Sequence, residues 1–97
     1  MDDETSIGAL QAVKEAGRTD IKVITGGGGC QEYFKLMAEE GGIWLQSALY
    51  SPLMVEDAVD MALAVLNGEK IDPVKIIPTS IVDRNNCSQY LDPTSPY

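Results

Sequence analysis

Ninety-seven residues, 44% hydrophobic and 23% charged, with a mean hydropathy of −0.06, describe one small globular unit rather than a disordered segment. Fifteen acidic residues against seven basic ones leave a formal charge of −8 and a pI near 4.2, which repels nucleic acid and anionic membrane surfaces. With no histidine, the chain lacks the usual general base near neutrality and the commonest metal ligand, so Ser/His/Asp triads, Cys/His dyads and histidine-based zinc sites are excluded.

The opening stretch DDETSIGALQAVKEAGR carries acidic residues and a threonine suited to an N-cap and first turn. Ile7, Leu10 and Val13, with Ala9, Ala12 and Ala16, recur at three- and four-residue spacing, and Gly17 supplies a stop, which predicts a first helix. Residues 20–25, DIKVIT, are short, β-branched and bounded by turn residues, as a buried strand is. Four glycines follow in TGGGGC, and then a second helix containing Tyr33, Phe34, Leu36 and Met37 runs to Glu40, where Gly41 and Gly42 end it. IWLQSALY, residues 43–50, mixes β-branched, aromatic and aliphatic side chains and reads as a second strand, with Trp44 a core residue rather than a stacking platform.

SPLMVEDAVDMALAVLNGE predicts a third helix, with Ser51 as N-cap, Pro52 at the first helical position and Gly68 closing it. Val55, Ala58, Val59, Ala62, Leu63 and Leu66 form its apolar face, and Glu56, Asp57 and Asp60 lie on the other side. VKIIPTSIVD reads as a last strand interrupted by Pro78, an edge feature, and RNNCSQYLDPTSPY as a turn or short helix with loose residues after it. Strands alternating with helices predict an α/β fold with a mostly parallel sheet. Cys30 and Cys87 form neither a CxxC motif nor a metal knuckle and read as two idle thiols rather than a disulfide. No apolar run reaches the length of a membrane span, and Met1 is followed at once by DDE, unlike a signal peptide, so the segment is expected to be soluble, with its natural start left open.

TGGGGC leaves two readings open. One is a flexible tight turn. The other is a backbone approached closely by a ligand, because ligands in open α/β sheets sit beyond the carboxyl ends of the strands, and a helix N-terminus offers bare N–H groups to a phosphate or carboxylate. The run lacks the Lys-Ser/Thr of a P-loop and matches G-x-G-x-x-G only in its first two glycines.

Taken in order, DDETSIGALQAVKEAGRTDIKVI, the glycine loop, a helix, GGIW, a strand ending in SP, AVDMALAVLNGEKI and IPTSIVDRNNCSQYL resemble the C-terminal part of the type I periplasmic sugar-binding proteins. These are the substrate receptors of bacterial ABC importers, and they share the periplasmic-binding fold with the effector domains of LacI-type repressors. The resemblance covers nearly the whole chain. It implies a two-lobed receptor that closes about a hinge on a sugar or similar small polar ligand, with residues 1–50 in the C-terminal lobe and residues 51–97 a post-hinge helix, strand and tail packing on the other lobe.

The resemblance further implies ligand-binding residues. Asp2 and Asp3 match an Asn-Asp pair whose first member would hydrogen-bond sugar hydroxyls, while an aspartate that grips the sugar in the family falls on Gly27. The loop then offers only main-chain groups and space at Gly26, Gly27 and Gly28. Tyr50, two places before Pro52, stands where a polar ligand contact is found, with Gln46 or Ser47 as the choice under a shifted register. No catalytic residue, cofactor or metal is implied; the activity is binding, in an extracytoplasmic location, with the membrane permease of an ABC transporter as partner and no nucleic acid. The isolated chain is expected either to repack its third helix on its own sheet or to form a homodimer. Two other readings stand beside this one: the effector domain of a LacI-type regulator, which upstream sequence would decide, and a stand-alone phosphate-binding or enzyme domain built on the glycine loop.

Overall fold

A computed structural model describes residues 1–96. Helix α1 spans Asp3–Glu15, with Asp2 as its N-cap: the Asp2 Oδ1 accepts from the Thr5 N–H at 2.8 Å, and this bond holds the carboxyl below its usual range. Arg18 N–H reaches back to the Val13 carbonyl and Gly17 takes φ +61°, the six-to-one closure that favours glycine after a helix. Asp3, Ser6 and Leu10 lie three and four residues apart and are the buried stripe of α1.

Strand β1 is Val23–Gly27 and strand β2 is Trp44–Ala48; they pair in parallel with Val23 opposite Trp44 and Gly27 opposite Ala48. β1 therefore starts later than the β-branched run predicts and reaches two residues into the glycines, because their backbones still have β2 as a partner. Between them, helix α2, Gln31–Glu39, buries Tyr33, Phe34 and Met37. Glu40 ends it: its Oε2 pairs with Lys14, which chiefly holds its carboxyl below the usual range, and its Oε1 accepts from the Gly42 and Ile43 N–H groups, which add to the effect.

The last strand, β3, is only Ile81–Asp83 and runs antiparallel to β2, giving the order β1-β2-β3. VKIIP, which reads as strand in the sequence, is not part of the sheet. A short 3-10 turn, Cys87–Gln89, follows and packs on α2. Both cysteines are free thiols.

The sheet is mixed and covered on one face. Leu10, Ile24, Tyr33, Phe34, Met37, Leu45, Val82 and Cys87 form the core between the sheet and helices α1 and α2. Positions that alternate with these point the other way: Val23 is 53% exposed and Thr25 is also exposed. The Arg84 guanidinium sits over the Trp44 ring, 4.7 Å from its centroid, at that bare face's amino end. Strands in parallel sheets ordinarily have both faces buried; here only the face toward α1 and α2 is covered.

Residues 51–80 leave the sheet as an arm. Helix α3 is Met54–Leu66 with Leu53 as N-cap; Ser51 and Pro52 belong to the preceding turn, where the Leu53 N–H donates to Ser51 Oγ at 3.2 Å. Gly68 takes φ +79° and closes it. The feet of the arm meet where the Leu49 N–H donates to the Ser80 carbonyl at 2.8 Å and the Thr79 hydroxyl donates to the Leu49 carbonyl. α3 buries no residue. The arm accounts for a 58 Å long axis and a radius of gyration of 17.4 Å, where a compact chain of this length has about 13 Å. Residues from Ile81 onward return to the sheet as β3 and to α2 as the 3-10 turn, and only the arm departs from this unit. Among the described residues, no helix is long and apolar enough to cross a membrane.

Tyr33 ties the core to the sheet. It is fully buried, its hydroxyl donates to the Ile24 carbonyl at 3.1 Å, and burial first, then the nearby Asp3 carboxyl, push the phenol from 10.0 up to about 12. A folded value above the unfolded one means that its contribution is complete below pH 10 and is lost as pH rises through about 12. Tyr33→Phe is expected to cost about 1 kcal/mol at neutral pH, the net worth of one hydrogen bond, and to flatten the alkaline fall in stability. Urea unfolding of both proteins at neutral and alkaline pH measures each effect.

Candidate ligand-binding site

β1 and β2 end side by side at Gly27 and Ala48, so the glycine loop and the 49–52 turn emerge together at the carboxyl edge of the sheet. Three of the four glycines are there for steric or conformational reasons. A Cβ on Gly26 would stand 2.1 Å from Asp3 Oδ1 and 3.0 Å from both Ser6 Oγ and Tyr33 Cε1. Gly28 and Gly29 take φ of +104° and +94°, and a Cβ on Gly29 would also meet Leu49 Cδ2 at 2.8 Å. Gly27 differs from these. Its φ is ordinary, and an added Cβ would find only van der Waals neighbours at 3.4–3.6 Å, namely the Ala48 and Met1 carbonyl oxygens and Tyr50 Cε1.

The loop is not a vacant anion cradle. Gly28 N–H donates to the Ala48 carbonyl at 3.0 Å, and the N–H groups of Gly29 and Cys30 donate to Asp3 Oδ2 at 3.0 and 2.9 Å. Ser47 Oγ adds a third bond to the same oxygen at 2.9 Å. The turn's own donors, the N–H groups of residues 28–30, are thus filled from within the chain, which counts against a phosphate held by the glycine loop. Asp3 itself is 0% exposed, and its Oδ1 has no hydrogen-bond partner. Burial raises its carboxyl above the usual range, opposed by the bonds from Ser47, Cys30 and Gly29.

The residues singled out in the sequence thus separate by role. Asp2 is exposed and caps α1; Asp3 is enclosed beneath the loop; Tyr50 is 52% exposed and reaches across to the glycines, an ideal Cβ on Gly28 lying 3.4 Å from its hydroxyl oxygen. Gly27, Gly28 and Tyr50 are brought together with the Met1 carbonyl at one surface. Of the shifted-register pair, Ser47 is buried with its hydroxyl committed to Asp3, while Gln46 lies on the bare face of the sheet.

A cleft of about 410 Å³ adjoins this surface, formed by Gly28, Gly29, Tyr50, Pro52 and the returning tail at Tyr90 and Asp92. Gln31, the first residue of α2, fixes the tail there: its Nε2 donates to the Tyr90 carbonyl at 2.9 Å and its Oε1 accepts from the Asp92 N–H at 2.8 Å. Tyr90 also packs on Phe34, ring centroids 6.1 Å apart. Nothing local in the sequence pairs Gln31 with residues about sixty positions later, so pattern reading does not find this wall. No lysine or arginine lines the cleft, and among the described residues no group of three or more Cys, Asp or Glu side chains gathers as a metal site would require.

No family model matches the sequence, and neither does any curated protein. Solved structures do match. An ABC transporter solute-binding protein from Mycobacterium smegmatis with bound glycerol is similar over 97% of this chain, at 27% identity and a TM-score of 0.78. The periplasmic binding protein of an arabinose ABC transporter from Shewanella, bound to L-arabinofuranose, is similar over 93% of the chain at 30% identity and a TM-score of 0.68. An ABC transporter periplasmic solute-binding protein from Actinobacillus succinogenes with bound D-allose shares the fold over 92% at 24% identity, with a TM-score of 0.68. The chain spans 32%, 30% and 31% of those three proteins. The resemblance seen in the sequence is therefore present in three dimensions: the chain has the α/β architecture of about one third of a periplasmic solute-binding protein.

Proposed function

We propose that this chain supplies one wall of the ligand cleft in the substrate-binding component of an ABC importer, taking a sugar or a similar small polar ligand between two lobes. The observation that supports this most is the match over nearly the full chain to sugar- and polyol-bound transport receptors, together with the convergence of Gly27, Gly28 and Tyr50 at the sheet's carboxyl edge. In this reading Tyr50 presents a ring and a hydroxyl to the ligand, Asp2 lies at the rim, and Asp3 and Gly26 act beneath the surface. Binding makes and breaks no bond. Contacts to both lobes favour the closed form by their difference in free energy between closed and open states, and the closed form docks on the membrane permease from outside the cytoplasm.

One wall alone holds a ligand weakly. In a titration of the isotope-labelled chain with L-arabinose, D-allose and glycerol up to about 100 mM, where interactions of ~1–2 kcal/mol begin to register, the amide signals of Gly27, Gly28 and Tyr50 are expected to move for at least one of them. Shifts confined to other surfaces, or none, would overturn the assignment of this edge.

A further inference from the structure

We propose that Asp3 is a positioning residue of this wall: its carboxylate is the resident anion of the turn at residues 28–30, fixing the loop on which Tyr50 rests and closing the turn's N–H groups to any anion from solution. The inference deepens the reading of this edge as a ligand wall. Its own footing is the bonding around Asp3.

Four separate parts of the chain converge on this side chain. It starts α1; Oδ2 accepts from Gly29 and Cys30 at the entry to α2 and from Ser47 of β2; and Oδ1 lies against the bare Cα of Gly26 in β1. Two successive N–H groups aimed at one oxygen at a helix N-terminus form an anion site. Here the occupant is covalently part of the protein. With Gly28 N–H held by Ala48, all three N–H groups of the turn are committed. The loop's path then sets where the Gly28 backbone meets the Tyr50 hydroxyl.

The groups facing Asp3 give its charge no cation. Glu4 lies on its own helix, Tyr33 on α2 stays protonated up to about 12, Ser47 and Gly26 on the sheet are neutral, and no lysine or arginine pairs with Asp3 among the described residues. The charge is held by hydrogen-bond donors alone, so the loop and the carboxylate must be ordered together.

The test uses amide signals of the full chain. In the unmodified protein Gly29 and Cys30 are expected to shift together with the Asp3 carboxyl as pH is varied, with a midpoint above the ordinary 3.8. They are expected to ignore inorganic phosphate and sulfate at neutral pH. In Asp3→Asn, hydrogen exchange at Gly29 and Cys30 is expected to rise about tenfold as a charged acceptor becomes neutral, and the same two signals are expected to respond to phosphate. Phosphate moving Gly29 and Cys30 in the unmodified protein would overturn the proposal, as would unchanged exchange in Asp3→Asn. If Asp3→Asn fails to fold, the pH titration decides: Gly29 and Cys30 signals that do not follow Asp3 overturn it. No sugar enters these measurements, so a failure to bind L-arabinose, D-allose or glycerol would count against the ligand-wall reading and leave this result untouched.

Discussion

Gly26→Ala is expected to lower stability by about 3–5 kcal/mol, more than most single substitutions do. The added methyl would stand 2.1 Å from Asp3 Oδ1, with Ser6 Oγ and Tyr33 Cε1 both at 3.0 Å. None of these neighbours is the loose end of a flexible side chain: Asp3, Ser6 and Tyr33 are each 0% exposed. Asp3 would have to move, and its bonds to Gly29, Cys30 and Ser47 would be lost with it. Overpacking costs about 1–3 kcal/mol, and each buried polar group left without a partner adds about 1–3. For a chain of this size, with about 5–15 kcal/mol in total, such a loss moves the thermal midpoint down by at least ~12 °C.

Gly8→Ala is the matched control. Gly8 is exposed within α1 and nothing lies within 4 Å of its added Cβ, so alanine there is expected to stabilise by about 1 kcal/mol. Circular-dichroism melts of the two variants measure both shifts. A Gly26→Ala protein melting within ~2 °C of the unmodified one, less than 1 kcal/mol is worth, would show that Asp3 is not held as described.

How much of this was legible beforehand depends on the distance over which each cause acts. The three helices are written locally, in apolar spacing and in Gly17 and Gly68, and they stand where that spacing puts them. The glycine run was visible too, but its reasons were not, because the group that excludes a side chain from position 26 sits twenty-three residues earlier. A finer reading was available at the chain's start. Counting from Leu10 back through Ser6 places Asp3, and not Asp2, on the buried stripe of α1, which separates the cap from the enclosed carboxylate. The arm illustrates the opposite limit. VKII has the composition of a strand and α3 has the pattern of a packed helix, yet composition is the same whether the covering surface lies within these residues or elsewhere. Gln31 and Tyr90 meet only through the tertiary fold.

The covering surface of α3 carries the second large prediction: at about 100 μM and above, the 97-residue chain is expected to be a dimer, with the arm of one copy covering the arm of the other, an association worth at least ~5 kcal/mol. A helix of 13 residues is marginal in water unless its apolar face is packed. Val55, Val59, Leu63 and Leu66 are 60%, 53%, 52% and 82% exposed, and Ile76, in the return segment of the same arm, is 87% exposed. The helix has not folded back on its own sheet, so the expected alternative of internal repacking is not what the chain does. In the proposed receptor the remaining two thirds of the protein would cover this face; in the isolated chain a second copy is the one apolar surface available at matching concentration. Asp57 and Asp60 lie away from this apolar face, and Lys75 pairs with Asp57, so like charge does not block pairing. Val59→Lys combined with Leu63→Lys is expected to leave a monomer and to keep the phosphate-insensitive Gly29 and Cys30 signals unchanged, because neither residue touches the glycine edge. Lysine is at least as good a helix former as valine, so propensity is not the cause of any helix that is lost. Sedimentation equilibrium on both proteins decides: an unmodified chain that remains monomeric at ~1 mM, where even a weak pair of about 4 kcal/mol assembles, would mean that the arm stands in water without a partner.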